Sequence, residues 1–386
     1  MTHRYFLLAG LTSLSVLLLS TAPVSGQNAK VAPKTSAIKR LPDGHPDLQG
    51  TYDLATLTPV DRVGPNLVLT KEEAAKLEGV YAQLRAQGDK AIQGDRAAPP
   101  KGGDSSVGDL VANNRGKGKE TDSWLNILTA ASGGTGGYNY GWLDGGSTYN
   151  VVDGQKRASI IIDPPNGRTP PMAPGAAQRF AGARARPTSD QTESTDAGLE
   201  PTPGAYDDPE RRPLGERCLM GFGSTSGPPA LPNYFYNNLH QIVQTPDSVM
   251  ILTEMVHDAR IIRMNAQHLP KNIRMWMGDS VGHWEGDTLV VDTTNFTDKT
   301  RFRGATEDLH VIERFTRVDD NTLLYRFTID DPATWTKPWT GEYSWPATKE
   351  RIYEYACHEG NYALPNILKG ARLREKEAAA PKGAAK

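Results

Sequence analysis

The sequence predicts a mainly β fold: an antiparallel meander closing into a lipocalin-like barrel or a sandwich, preceded by an extended and helical N-terminal segment. Three observations carry this expectation. From Leu239 onward, short runs rich in β-branched and aromatic residues recur at regular intervals with turn signals between them. No helical pattern is interleaved among these runs, which argues against a parallel α/β sheet. The stretch from Trp276 to Phe296 reads as a hairpin around Glu285-Gly286-Asp287, since Gly tolerates positive φ and Asp bonds its own backbone. After that turn, Leu289, Val291, Thr293 and Asn295 share one face of a strand.

Taken in order, residues 1–26 read as a secretory signal. His3 and Arg4 give a basic start, Phe6 to Leu19 an apolar run, and Val24-Ser25-Gly26 a small-residue cleavage site. The run is short for a membrane span, and no later segment is apolar for long enough to make one, so no stable anchor is expected after cleavage. Residues 27–213 read as an N-terminal strap, one helix and Gly/Pro-rich linkers. Leu41 to Tyr52 is turn-rich and reads as an extended surface strap. Thr70 and Glu73 form a capping box ahead of an apolar stripe at Ala74, Leu77, Val80, Tyr81 and Leu84, with a stop near Gly88. Residues 88–120 and 182–212 read as linkers, and Ala158 to Asp163 as a short strand.

Residues 214–372 form the expected β domain. Strands are predicted over Leu239–Thr245, Ser248–Met255, Arg260–Met264, His310–Val318, Leu323–Ile329 and Glu350–Cys357, with Asp330 to Pro346 as a long excursion. In a closed meander, alternate side chains face an internal cavity. Residues 373–386, charged and then rich in Ala and Lys, read as a disordered tail.

Composition narrows the function. A formal charge of −2 in 386 residues supplies no basic field for nucleic acid. Cys218 and Cys357 are the only cysteines and flank the strand-rich region. In an exporting context they read as a disulfide stapling first strand to last, worth roughly 4–5 kcal/mol in the loop-entropy model; the alternative is two buried thiols.

The runs Met255 to Ile262, Gly278 to Phe296 and Tyr355 to Tyr362, with Leu41-Pro42-Asp43-Gly44 and Ile162 to Arg168, resemble a widespread group of exported soil-bacterial proteins described as hypothetical secreted proteins. The likeness covers most of the chain after the signal. It implies export and a shared organisation, and it brings no activity with it.

No Gly-x-Ser-x-Gly, His-Glu-x-x-His or dinucleotide fingerprint is present, so the reading assigns neither a redox cofactor nor a metal. The candidate catalytic residues are histidines and carboxylates of the strand region. His257 and Asp258, with Glu254 upstream, place an imidazole beside carboxylates that tune its proton affinity. The competing reading makes Asp258 a turn former and pairs Arg260 with Glu254 on the surface. His358 follows Cys357 directly and gains rigidity from a disulfide there. Glu313 shares strand parity with Val311 and Phe315, so it is either buried in the barrel or outward with Arg317 as its partner. Tyr138, Tyr140, Trp335, Trp339, Arg260 and His283 are the candidate substrate contacts; Trp335, Trp339 and Trp345 read either as an aromatic lip over a barrel mouth or as the ordinary packing of a long loop.

The expected function is an exported enzyme without redox cofactor, of lyase, isomerase or hydrolase type. It uses His/carboxylate chemistry on a small, partly apolar or aromatic molecule in the barrel. The alternative is a binding protein with the same cavity and no catalysis.

Overall fold

A computed structural model describes residues 38–62, 64–88, 144–176, 206–221, 227–233, 236–300 and 302–379. Its centre is a closed, mixed barrel of nine strands, which realises the barrel class read from the sequence. The strands are β1 (Gly50–Asp53), β5 (Leu239–Gln244), β6 (Ser248–Thr253), β7 (Ala259–Met264), β8 (Asp279–Glu285), β9 (Thr288–Thr294), β10 (His310–Asp319), β11 (Thr322–Asp330) and β12 (Trp339–Thr348). They are ordered as just given, and β1 closes the ring by pairing with both β5 and β12. The short β2 (Val151–Val152) and β3 (Gln155–Lys156) form a separate hairpin, and β4 (Ile161–Asp163) extends the sheet from β12.

The meander is not wholly antiparallel. β7 and β8 run parallel, with Arg263 opposite Val281. The reason is the connection: residues 265–278 carry the chain back along the barrel, as a parallel pair requires, where a tight hairpin turn would reverse it. The hairpins on either side follow the sequence signals. Gly286 takes φ 59° at the turn between β8 and β9.

Strict alternation fills the lumen. Val311, Glu313 and Phe315 of β10, Leu323, Tyr325, Phe327 and Ile329 of β11, and Trp339, Tyr343 and Trp345 of β12 are all buried and all share the inward parity. Phe315, Tyr325 and Trp345 meet with ring centroids 4.8–5.5 Å apart. Each such burial contributes roughly 1.5–3 kcal/mol. The cavity expected inside the barrel is therefore occupied, among the described residues, by aromatic rings. The residues 330–346 expected as an excursion are mostly strand: Thr340, Tyr343 and Trp345 pair with β11 residue by residue.

The N-terminal strap is also more than a surface feature. Leu48 and Tyr52 are fully buried. The Tyr52 hydroxyl donates to the Leu48 carbonyl at 2.7 Å, and Arg317 Nε donates to the Asp47 carbonyl at 2.9 Å. His45 stacks on Trp284 at 4.5 Å and Arg40 pairs with Asp287 at the β8–β9 turn. The strap thus stoppers the barrel end that holds the β8–β9 and β10–β11 turns. Through these contacts the strap packs directly onto the barrel.

Helix α1 (Lys71–Gly88) carries the capping box, with Glu73 N–H donating to Thr70 Oγ1 at 3.1 Å and Thr70 N–H to Glu73 Oε2 at 2.8 Å. At the C-terminus the strand expected over 350–357 is absent. Cys357 opens α2 (Cys357–Gly360), and α3 (Ala363–Ala379) makes residues 373–379 helical where a disordered tail was expected. Cys218 and Cys357 form the disulfide, with a Cα–Cα distance of 5.7 Å, but neither lies in a strand. The bridge joins two segments outside the barrel wall.

Gly341 of β12 lies opposite Phe327, and a Cβ there runs into the Phe327 ring. Gly341→Ala is expected to cost about 1–3 kcal/mol by overpacking, read as a lower denaturation midpoint with unchanged m-value.

Candidate functional site: a charged cluster inside the barrel

Among the inward positions that carry charge or titratable chemistry into the aromatic lumen are His240 of β5, Arg260 of β7 and Glu313 of β10. Isolated charges there are prohibitively costly, so their partners decide what the cluster is. Arg260 and Glu313 face each other across the lumen, on strands that are not neighbours in the sheet. Both guanidinium amines donate to the carboxylate, Nη1 to Oε2 and Nη2 to Oε1, the second at 2.9 Å. Tyr325 adds a third donor, its hydroxyl giving to Glu313 Oε1 at 2.7 Å. Burial works against the Arg260 charge, but the adjacent Glu313 outweighs it and leaves the guanidinium above its ordinary value. Burial, then the Glu313 charge, drives the Tyr325 phenol well up, so it stays protonated.

His240 is fully buried, with its ring 5.4 Å from that of Trp345. Nδ1 lies 3.1 Å from the Asn238 carbonyl, which can only accept, so Nδ1 carries the hydrogen. The neutral ring then presents a bare lone pair at Nε2, which meets no partner among the described residues. Burial pushes the imidazole down to about 4; the Asn238 carbonyl opposes this and the Arg260 charge adds to it. Arg260 Nε and the Trp345 and Trp339 indole N–H groups are likewise buried without a described partner. The cluster therefore offers one oriented acceptor at His240 and unpartnered donors at Arg260 and the neighbouring Trp345, among apolar side chains.

Residues 227–233 pack against this cluster without joining the barrel as a strand. Ala230 and Leu231 are buried. The Ala230 N–H donates to the Tyr325 hydroxyl at 3.0 Å, and the Tyr343 hydroxyl donates to the Ala230 carbonyl at 2.8 Å. Asn233 N–H donates to Asn238 Oδ1 at 2.7 Å, which ties the segment to the residue that orients His240.

Of the residues read from the sequence, Glu313 and Arg260 are brought together, and Glu313 takes the inward alternative with Arg260, not Arg317, as its partner. The other catalytic candidates lie elsewhere. His257 and His358 are exposed, so the two imidazoles and Glu313 do not share a chamber. Glu254 and Asp258 serve backbone: Glu254 Oε1 accepts from Tyr353 N–H at 3.0 Å, and Asp258 Oδ2 from Gly221 N–H at 3.1 Å. That places both in a loop braced against segments near the disulfide. Val256 and His257 take φ values of 59° and 44° there, an uncommon conformation for a β-branched residue.

His283 is half-exposed and meets Glu285 at 3.3 Å on the hairpin. Trp335 and Trp339 are core residues packed edge-on at 5.7 Å, not an exposed lip. Tyr138 and Tyr140 lie outside the described residues. His240, Tyr325 and Tyr343 escaped the sequence reading, although His240 shares inward parity with Ile242 just as Glu313 shares it with Phe315.

Two other features lie outside the lumen. Asp292 accepts from His268 Nε2 at 3.1 Å and His310 Nε2 at 3.0 Å, and His268 Nδ1 reaches Asp279 at 3.0 Å, a network that pins residues 265–278 to the outer wall. A cleft of about 420 Å³ lies between the β2–β3 hairpin and β10–β12, away from His240; there Asn150 and Ser344 satisfy each other. Among the described residues, no three His, Cys, Asp or Glu are grouped to hold a metal, and no helix is long and apolar enough to cross a membrane. No protein-family model, curated protein or solved structure matches the chain.

Two outcomes follow. Glu313→Gln leaves Arg260 buried without its counter-charge and should cost about 3–5 kcal/mol; Arg260→Met with Glu313→Gln should cost less than the sum of the two, read by a double-mutant cycle in urea. Second, His240 has a folded value near 4 against 6.5 in the free side chain. Between those limits the unfolded chain binds a proton that the folded chain refuses, so stability falls as pH is lowered through that window. The loss amounts to about 3 kcal/mol, and His240→Phe should flatten that slope in melts from pH 7 to 4.

Proposed function

We propose that the protein is an exported enzyme that performs proton transfer on a small, partly apolar or aromatic molecule bound in the barrel lumen, without a redox cofactor. The observation that carries this is His240: a neutral imidazole, held in one tautomer by a backbone carbonyl, with its lone pair unpartnered among closely packed aromatic rings. Such a group is a base whose strength rises once charge balance is supplied. Protonating it beside Arg260 alone is unfavourable, but developing negative charge on a bound substrate offsets that penalty, so proton transfer couples to chemistry. Glu313, already neutralised by Arg260 and Tyr325, supports the site by fixing the guanidinium and phenol in place. Tyr343 supplies a hydroxyl hydrogen to a substrate oxygen, while Tyr325, whose hydrogen lies on Glu313, accepts from a substrate donor. Isomerisation, elimination and hydrolysis all begin with such a transfer.

Export is supported by the N-terminal basic and apolar run in residues 1–26 and by the disulfide, which suits an oxidising compartment. The unpartnered donors of Trp339 and Trp345 also suit the second reading, a binding protein that hydrogen-bonds its ligand without changing it. Incubating the purified chain with a mixed pool of small aromatic and apolar metabolites, followed by mass analysis, separates the two. The expected result is a new product whose rate of formation drops about 10²–10⁴-fold in His240→Gln at unchanged melting temperature. A ligand recovered unchanged favours binding alone, and full turnover by His240→Gln excludes the base.

A further inference from the structure

The segment 227–233 forms no strand, yet Ala230 takes up the hydroxyls of two inward tyrosines. The Tyr325 hydroxyl accepts the Ala230 N–H at 3.0 Å while donating to Glu313 at 2.7 Å. The Tyr343 hydroxyl donates to the Ala230 carbonyl at 2.8 Å. These two phenols lie directly opposite each other on β11 and β12, so their separation is set by the sheet and not by the segment. A rigid pair of hydroxyls fixed in this way selects whatever offers a donor and an acceptor at the matching distance. Ala230 offers a donor on nitrogen and a carbonyl oxygen, the two joined through two carbon atoms, Cα and the carbonyl carbon.

We infer that Ala230 occupies the subsite of the natural ligand: when 227–233 withdraws, Tyr325 and Tyr343 take the α-hydroxycarbonyl or α-aminocarbonyl end of a small molecule whose apolar body lies against the aromatic wall. The inference deepens the reading of the lumen as the active chamber and names the substrate class. An α-hydroxy- or α-aminocarbonyl compound has H–X–C–C=O, the same bonded sequence as the Ala230 backbone. Its hydroxyl or amine replaces the Ala230 N–H on Tyr325, and its carbonyl replaces the Ala230 oxygen under the Tyr343 O–H. Tyr325 keeps its hydrogen on Glu313 throughout, which makes it an acceptor toward the ligand and excludes a second acceptor at that position. A plain ketone satisfies Tyr343 and leaves Tyr325 without a donor once the segment is gone, a loss that buried polar sites penalise strongly. The segment itself can be displaced because its grip on these phenols is two neutral hydrogen bonds, and a ligand shifts the balance by making the same bonds while filling the wall with rings.

The test uses the full chain and two probes, 2-hydroxyacetophenone and acetophenone, which differ by the α-hydroxyl. Binding is read by tryptophan fluorescence and by amide exchange at Ala230 and Leu231. The expected result is at least about tenfold tighter binding of the hydroxyketone, with faster exchange at Ala230 on binding, and loss of the preference in Tyr325→Phe. A second arm needs no ligand: Tyr325→Phe with Tyr343→Phe should accelerate Ala230 exchange at least tenfold while the far-ultraviolet spectrum of the barrel is kept. Equal binding of the two ketones, no binding of the hydroxyketone, or an Ala230 amide that stays protected in the double variant overturns the inference. Both arms are repeated in His240→Gln, where displacement should persist. Displacement there with undiminished turnover of the metabolite pool overturns the role of His240 alone, and His240-dependent turnover without displacement overturns the Ala230 subsite alone.

Discussion

The Arg260–Glu313 ion pair is the constraint around which the interior is arranged. Two opposite charges in an aromatic lumen are tolerable only when each satisfies the other and the remaining lone pairs are met. That requirement fixes β7 and β10 across the barrel, recruits Tyr325 as the third donor, and through Tyr325 sets where the 227–233 segment sits. It also shapes His240, because a permanent cation in the same chamber adds to the burial that keeps the ring uncharged. Apolar residues of similar size would fill the space more cheaply. Retaining the pair at the cost of desolvation gives the chamber an oriented field, which a purely structural core has no need of.

Much of this was legible in the sequence, and the boundary of legibility is physical. Strands β5 to β11 announce themselves by period-two alternation and by turn residues, because each has one face in the lumen and one toward solvent. β12 was hidden because Trp339, Gly341, Pro346 and the preceding Pro338 read as loop punctuation; its strand character comes from pairing with β11, a partner the local pattern does not reveal. β1 was hidden for the opposite reason: only four residues long, it is a strand because two edges wait for it. The parallel step between β7 and β8 depends on the path of residues 265–278, which carry no periodic signal.

The site shows the same division. Parity placed Glu313 among apolar neighbours, and the lumen is where it lies. The same argument applied to Asn238-Leu239-His240-Gln241-Ile242 puts His240 on the apolar face, but a lone histidine next to Asn and Gln looks like strand-end polarity. His257 and His358 drew attention by sitting beside carboxylates in sequence, yet adjacency along a chain at a turn sends side chains outward. The choice of Arg260 as the Glu313 partner spans three strands of the barrel, a distance no local pattern encodes.

The closure of the ring by β1 carries a consequence for how this chain stays in solution. A barrel has no free edge, and here the seam is sealed by a four-residue piece near the start of the described chain, gripping Ile242 on one side and Thr348 on the other. Until that piece docks, β5 and the end of β12 beyond its pairing with β4 expose unpaired backbone, the arrangement that templates intermolecular sheet growth. Closure of the sheet edge thus depends on the most N-terminal of the described strands. A nick between Asp53 and Leu239 leaves every other strand covalently intact and still places monomer against polymer at the mercy of one small, detachable stave.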